Sequence, residues 1–369
     1  MLKQTTPGGT IESTDIRKAL RVFSVTVYFI ACALCIYGAQ VFMYPVKFFA
    51  PDLYVQFIQL TKQSFSICLT SVSQWWTPID IHVTEDESCK GIFSLRADGT
   101  LNSTKMDDRA IVISNHQLYT DWVYLWWFSY TAKAHEGIYI ILKHSLKWIP
   151  ILGWGMQNFK FIFLSRKWEK DQEVLDEGLG RLNREKDFPC WLILFPEGTT
   201  FSANATVRSR AYAAKNGTVH PKYLLLPRAK GFRQALLRLS ENMEYVYDAT
   251  FFYTGIPDGV FGEDHFTLYR TFIQGDFLRS AHVYWRRFKI SDIPYQEEEQ
   301  FEKWLLDRWY EKDELLQKFL DTGSFLPEGK QGEPMRAHVR LNNPFEVLQI
   351  FSPPINFVLT FFILYRYFR

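Results

Sequence analysis

Cysteine is scarce in this 369-residue chain: Cys32, Cys35, Cys68, Cys89 and Cys190 make five, an odd number without finger-like spacing. That pattern excludes a disulfide framework and a zinc ribbon. Cys32 and Cys35 have the spacing of a redox pair, but they lie in an uncharged apolar run, where small packing residues fit better than reactive thiols. An excess of one charge is missing too. Lys+Arg 42 against Asp+Glu 40 leaves +2, which excludes a dedicated nucleic-acid binder and a polyanionic tail. No Gly/Ser-rich or Pro-rich linker divides the chain, so one large domain with attached membrane segments is expected. Mean hydropathy is slightly negative, which excludes a polytopic transporter. What is abundant is aromatic: 32 Phe, 19 Tyr and 12 Trp, 17% of the chain. Disordered chains are poor in such residues, so disorder is excluded as well.

Three stretches lack charge. Val22 to Val46 exceeds the ~20 residues needed to cross a bilayer, follows Arg17, Lys18 and Arg21, and has no small-residue cleavage site. A retained anchor is expected, with residues 1–21 as a cytoplasmic tail. Gln63 to Ile79 is rich in Ser, Thr and Gln and ends in Trp75-Trp76-Thr77-Pro78, which suits a re-entrant or interfacial arm whose tryptophans sit at headgroup level. The two arms together form a membrane helix hairpin over 22–79. Val347 to Tyr365, broken by Pro353-Pro354, is expected as a C-terminal membrane segment joined by a linker over 331–346.

Between them, residues 80–330 have the pattern of an α/β domain. Ala110–Ser114, Ile138–Leu142, Phe159–Leu164, Trp191–Phe195 and Tyr247–Tyr253 are short apolar runs that suit buried strands. Helical patterns fill Asp171–Asn183 and Gly231–Glu241. Strands alternating with helices predict a mainly parallel sheet covered by helices. Gln296 to Leu320 reads as an exposed amphipathic helix with Phe301, Leu305, Trp309 and Leu316 on one face. Arg286, Arg287 and Lys289 read as a solvated basic face, with contact to anionic headgroups as the other reading.

Chemistry concentrates at two strand ends. The first apolar strand runs into Ser114-Asn115-His116-Gln117-Leu118-Tyr119-Thr120-Asp121-Trp122. Function in α/β proteins gathers at the carboxyl edge of the sheet. Five residues of ideal helix turn through roughly 500°, so His116 and Asp121 can meet only if His116 lies in the loop and Asp121 at or inside the first helical turn. Asn115 or Thr120 could cap that turn. So arranged, Asp121 fixes the imidazole tautomer and the other ring nitrogen takes a proton from a substrate hydroxyl. The alternative is a lone loop histidine beside an unrelated capping aspartate. A second strand, Trp191–Phe195, runs into Pro196-Glu197-Gly198-Thr199-Thr200-Phe201-Ser202. Gly198 permits a sharp turn, Glu197 can accept from a polyol, and Thr199, Thr200 and backbone N–H groups can bind phosphate or oxyanion oxygens.

Taken together, the N-H-x-x-x-x-D block and the F-P-E-G-T block resemble the glycerolipid acyltransferases of the 1-acylglycerol-3-phosphate acyltransferase superfamily. Lys143-His-Ser-Leu-Lys-Trp-Ile-Pro150 with Phe163-Leu-Ser-Arg166 is similar to that family's second block, and Leu226-Pro227-Arg228-Ala-Lys230-Gly231 to its fourth. Ser209 to Gly217 and Gln274-Gly275-Asp276-Phe277 resemble the eukaryotic branch with lysocardiolipin acyltransferase and fungal lysophosphatidylinositol acyltransferases. The resemblance implies the glycerolipid acyltransferase fold and transfer of a fatty acyl group from acyl-CoA, as co-substrate, to a lysophospholipid, with no metal or resident cofactor. It implies His116 as base with Asp121 as partner, Glu197, Gly198 and Thr199 on the glycerol phosphate, and Lys143, Arg166 and Arg228 as basic contacts. Many relatives carry Arg after Glu-Gly-Thr. Thr200 stands there instead, which favours a phosphodiester headgroup such as inositol over lysophosphatidic acid. A CoA-independent transacylase and a non-catalytic membrane lipid-binding scaffold are the competing readings. The expected location is the endoplasmic reticulum membrane, catalytic domain toward the cytoplasm, so that the sequons at Asn102, Asn204 and Asn216 stay unused. Cys190 is expected to pack rather than to react.

Overall fold

The computed structural model describes residues 13–257, 259–326 and 334–353, with Ile355 and Arg366. Its helices are α1 (Ser13–Met43), α2 (Pro51–Trp76), α3 (Asp121–Thr131), α4 (Leu152–Asn158), α5 (Trp168–Arg184), α6 (Ala203–Asn216), α7 (Ala229–Leu239), α8 (Gly262–His265) and α9 (Glu298–Thr322). Its strands are β1 (Asp80–Glu85), β2 (Ser94–Leu95), β3 (Leu101–Asn102), β4 (Arg109–Ser114), β5 (Ile138–Lys143), β6 (Ile162–Leu164), β7 (Cys190–Leu194), β8 (Tyr245–Tyr253), β9 (Ser280–Lys289) and β10 (Met335–His338).

Eight strands form one sheet in the order β10-β1-β9-β8-β4-β7-β5-β6, and β2 pairs with β3 separately. Within the eight-stranded sheet pairing is parallel except β8 with β9 and β1 with β10, and β2 with β3 is antiparallel. The central strands are continuous apolar runs because both faces are covered. Along β4, Ala110 and Val112 join the core shared with α2 and α3, while Ile111 and Ile113 join the core under α5, α7 and α9. The sequence strand Phe159–Leu164 shortens to Ile162–Leu164, and β1, β9 and β10 add strands that composition did not announce. The expected linker over 331–346 contains β10, whose Met335–His338 pairs antiparallel with Val83–Asp80, so the domain runs past residue 330. Of the expected C-terminal membrane segment, Val347 to Pro353 and Ile355 are described; the other residues of 347–365 lie outside the described residues.

Helix α9 is less exposed than its charge suggests. Phe301, Leu305, Trp309 and Leu316 are buried as one face, and Lys312 is buried with them. Its Nζ lies 2.5 Å from Asp248 Oδ1, while Arg286 reaches Asp248 at 2.8 Å and Glu311 at 2.6 Å. Lys289 lies 3.7 Å from Glu244. Arg286 is therefore an internal tie between β9, β8 and α9, neither solvated nor lipid-facing.

The N-terminal hairpin is a layer of the protein. Helix α2 packs against α3, and α1 packs along α2 and directly against α4 and the Tyr269–Gln274 segment. Ser64 and Ser66 to Ser73 of α2 are buried, so its Ser/Thr content serves helix packing. Tyr28 meets Ser71 at 2.7 Å, Gln40 donates to Thr61 at 3.1 Å, and the buried Lys62 donates to the Ile138 carbonyl at 2.9 Å. At the N-terminal end of α1, Arg21 donates to the Trp76 carbonyl and lies over the Phe277 ring. At its other end, Gln40 accepts from Asn158 at 3.1 Å and Tyr44 packs on Trp154 at 5.7 Å.

Candidate active site

Strand β4 ends at Ser114, and the next residue anchors the site. Asn115 is fully buried, donating to the Phe251 carbonyl at 3.0 Å and accepting from the Phe251 N–H at 2.8 Å. This clasp onto β8 replaces the expected cap, and Thr120, at the N-cap position, makes no side-chain cap bond either. His116 then turns out at the carboxyl edge, its carbonyl accepting from the Phe201 N–H at 2.7 Å.

Asp121 opens α3, the position that the spacing argument required. Its Oδ2 accepts from His116 Nδ1 at 2.9 Å, from the Gln117 N–H at 2.7 Å and from the Leu118 N–H at 3.0 Å. The carboxylate thus folds the loop that carries His116 as well as orienting the ring. Its other oxygen accepts from the Tyr253 hydroxyl at 2.6 Å. Tyr253 was missed in the sequence. Burial, with Asp121 beside it, pushes that phenol far above its ordinary range, so it stays a donor. The available signal was its place: it ends β8, which runs parallel to β4, so it reaches the same sheet edge as His116.

With Asp121 accepting, Nδ1 carries the ring proton and Nε2 is left as the basic nitrogen. The His116 side chain is 17% exposed and that of Asp121 is not exposed at all. Phe195 stacks on the imidazole at 4.2 Å, another contact the sequence did not single out, and the Thr200 hydroxyl lies 3.4 Å from Nε2. Thr200 is buried there, beside the base.

Glu197 ends up behind the histidine. It is buried, its Oε1 accepts from the His116 N–H at 3.4 Å, and the Leu225 backbone N–H also faces its carboxyl. Burial pushes its carboxyl up to about 8, and Asp121 adds to the rise. Gly198 is exposed with φ +71°, a conformation that favours glycine. A Cβ there would lie 3.2 Å from Cδ and Nε of Arg228, so the missing side chain lets the guanidinium arm cross the loop. Arg228 is itself exposed, and its N–H donates to the Pro196 carbonyl at 2.7 Å. Thr199 is half-buried between Gly198 and Thr200.

The other two basic candidates stand farther along the edge. Lys143 ends β5 and Arg166 follows β6, both exposed. Strand order puts β7 between β4 and β5, so Lys143 is two strands and Arg166 three strands from His116, roughly 10 and 15 Å at the usual spacing. Arg166 has φ +68° in a loop folded around Asp171, which accepts from Ser165 and Lys167 backbone N–H groups at 2.7 and 2.9 Å. The structure thus gathers His116, Asp121, Glu197, Gly198, Thr199, Thr200 and Arg228, and leaves Lys143 and Arg166 as outlying charges. Cys190 is buried and its thiol is pushed up to about 12 by burial, which suits packing. Among the described residues no group of three or more His, Cys, Asp or Glu could hold a metal ion.

Residues 92–253 match the family described as acyltransferase, and residues 271–345 match the acyltransferase C-terminus. An uncharacterized acyltransferase of Schizosaccharomyces pombe is 42% identical over 336 residues, covering 91% of this chain and 94% of its own. The 2-acyl-1-lysophosphatidylinositol acyltransferase of Saccharomyces cerevisiae is 33% identical over 76% of this chain and 80% of its own. Lysocardiolipin acyltransferase 1 of Gallus gallus is 34% identical over 63% of this chain and 60% of its own.

Proposed function

The chain belongs to the glycerolipid acyltransferase family, and from that premise we propose that it moves a fatty acyl group from acyl-CoA to a free glycerol hydroxyl of a lysophospholipid. Lysophosphatidylinositol is the favoured acceptor and lysophosphatidic acid the next. The observation that carries the mechanism is the 2.9 Å bond between His116 Nδ1 and a fully buried Asp121, on a ring that remains partly exposed.

An acceptor hydroxyl takes the place of the long Thr200 contact at Nε2 and gives up its proton as its oxygen attacks the thioester carbonyl. Asp121 holds the ring in place through that step and stabilises the imidazolium. The tetrahedral oxyanion collapses with cleavage of the carbon–sulfur bond. The thiolate leaves and takes the proton back from His116, so the ester, free CoA and the original base are restored. A thiolate leaves readily, so no covalent enzyme intermediate is required, and buried Cys190 is not asked for one.

Headgroup choice rests on two positions. Thr200 cannot grip a phosphomonoester as a forked arginine would. Arg228 crosses the same loop over Gly198 and offers one guanidinium to a phosphodiester. The family resemblance to the lysophosphatidylinositol enzyme points the same way. We place the protein at the endoplasmic reticulum membrane with the catalytic domain on the cytoplasmic side, the apolar α1 serving as its anchor.

The test offers labelled acyl-CoA and a panel of lysophospholipids to membranes containing the wild type or His116→Ala. The expected result is transfer fastest to lysophosphatidylinositol, with the variant slower by roughly 10²- to 10⁴-fold. Equal transfer by both proteins would remove His116 as base.

A further inference from the structure

The two faces of the sheet differ in character. Helices α1, α2 and α3 share the core on one face, and α5, α7 and α9 cover the other. An acyl chain belongs with the apolar α1 layer, so the polar end of an acceptor points across the carboxyl edge, past His116, toward the α7 face. Arg228 stands at that crossing. It is the N-cap residue of α7, and its side chain passes over Gly198.

A cavity of about 210 Å³ opens next to it, between the first turns of α5, α7 and α9. Ala229 and Lys230, the two residues after Arg228, line it, and Arg233 and Gln234 continue its wall one turn along α7. Helix α5 contributes Trp168, half-buried, with Lys230 Nζ 5.8 Å from the indole centroid. Gln172 of the same helix and Glu298 and Glu302 of α9 add an amide and two carboxylates. Part of this lining is fixed by the fold. Arg233 donates to the Tyr295 carbonyl at 2.9 Å and the Gln296 carbonyl at 2.7 Å, and Gln234 donates to Asp176 at 2.6 Å.

Size and charge restrict what fits. Sites that enclose drug-sized ligands run to about 300–1,000 Å³, so this cavity suits a single ring. Lys230 and Arg233 stand against Glu298 and Glu302, with Arg233 3.9 Å from Glu298. A lining so balanced does not favour the several phosphates of a nucleotide. An indole face beside carboxylates, an amide and an ammonium matches a polyol ring instead. Its C–H side lies on the aromatic surface, and its hydroxyls donate to the carboxylates and accept from the ammonium.

We infer that this cavity is the headgroup subsite of the acceptor and takes a neutral, polyhydroxylated six-membered ring such as inositol, with Arg228 on the phosphodiester between ring and glycerol. This rests on the lysophosphatidylinositol reading above and adds to it a place for the ring. The span agrees. About seven bonds join a free glycerol hydroxyl oxygen to the inositol ring, roughly 8 Å in an extended chain. The loop after β7 lies one strand, about 5 Å, from His116, and Lys230 lies about 3 Å along the α7 axis from Arg228. The ring therefore arrives at the Lys230 end of the cavity.

The experiment compares membranes containing the full-length wild type, Trp168→Ala or the exposed-site variant Glu302→Gln, at matched protein levels. Transfer from labelled acyl-CoA is measured to lysophosphatidylinositol and to lysophosphatidic acid. The ratio of kcat/KM for the first acceptor over the second should fall about tenfold in each variant, as expected for one lost contact. The fall should come through KM for lysophosphatidylinositol, with KM for acyl-CoA within about twofold. Glycerophosphoinositol, the same headgroup without an acyl chain, should compete with the acceptor on the wild type and about tenfold more weakly on the variants. An unchanged ratio in either variant overturns the inference, including one in which both acceptors slow together, as does equal inhibition of all three proteins. A rise in KM for acyl-CoA in its place gives the cavity to the donor nucleotide and also overturns it. A wild type that does not prefer lysophosphatidylinositol sinks the acceptor reading and the subsite with it. A wild-type preference that the variants leave unmoved removes the subsite alone.

Discussion

Two buried carboxylates flank His116, and the structure satisfies them in opposite ways. Asp121 accepts from four donors on its two oxygens. Glu197 is approached by the backbone N–H groups of His116 and Leu225 and by the charge of Lys312, yet burial still pushes its carboxyl up to about 8. One carboxylate is a finished part of the fold, rigid and ready. The other keeps a cost of burial that its partners offset only in part, of the kind that functional sites retain. The difference separates a carboxylate fixed against the His116 ring from a carboxyl held up by burial behind it.

The largest effect that would break this contrast is expected at Asp121. Asp121→Asn keeps the shape but places an amide where the ring needs a carboxylate, and kcat should fall by roughly 10²- to 10⁴-fold with little change in KM. An activity within about threefold of the wild type would mean that Asp121 only folds its loop. Next comes Tyr253→Phe, which removes one donor to a charged group. Such bonds contribute about 1.5–3 kcal/mol, and if half of that is felt in the transition state the rate drops roughly 3- to 13-fold. A shift in the acid limb of the pH–rate profile should accompany the drop, which a purely structural role would not produce.

Glu197→Gln tests the other carboxylate through pH rather than rate. With its carboxyl held up to about 8, Glu197 keeps its proton in the folded protein across a range where the unfolded chain, at about 4.3, has lost it. The folded state binds more protons there, so stability falls as pH rises from about 4.3 to 8 and levels off above. The glutamine variant should lack that slope, and its melting temperature should gain on the wild type as pH rises to 8. Parallel melting curves across that range would mean that Glu197 is ionised in the fold. Smallest is Cys190→Ala, for which acyl transfer should stay within about twofold while the midpoint of urea unfolding drops slightly, as expected from a small cavity.

Much of this was legible in the sequence because it is local. The spacing of His116 and Asp121 already required a loop-then-helix geometry, and β4, β7 and β8 announced themselves as apolar runs ending in unusual residues. The parallel sheet followed from alternation. What stayed hidden depends on distant pairing. Tyr253 looked like the last residue of a buried strand until β8 was laid beside β4. Strand β10 sits in a polar stretch, and only its pairing with β1 makes it a strand. Helix α2 is ambiguous for a related reason: serine and threonine suit a headgroup layer and a packed helix interface equally well, and composition alone does not distinguish them.

The Asn115 clasp and the Tyr253 bond link residues 136 and 132 positions apart. During synthesis, therefore, His116, Asp121 and Glu197 all emerge from the ribosome well before the strand that completes their setting. A nascent chain ending after Asn216 already holds both motif-bearing strand ends, yet His116 lacks the far side of its cradle. The contacts that complete the setting of His116 and Asp121 thus form only once β8 has been made.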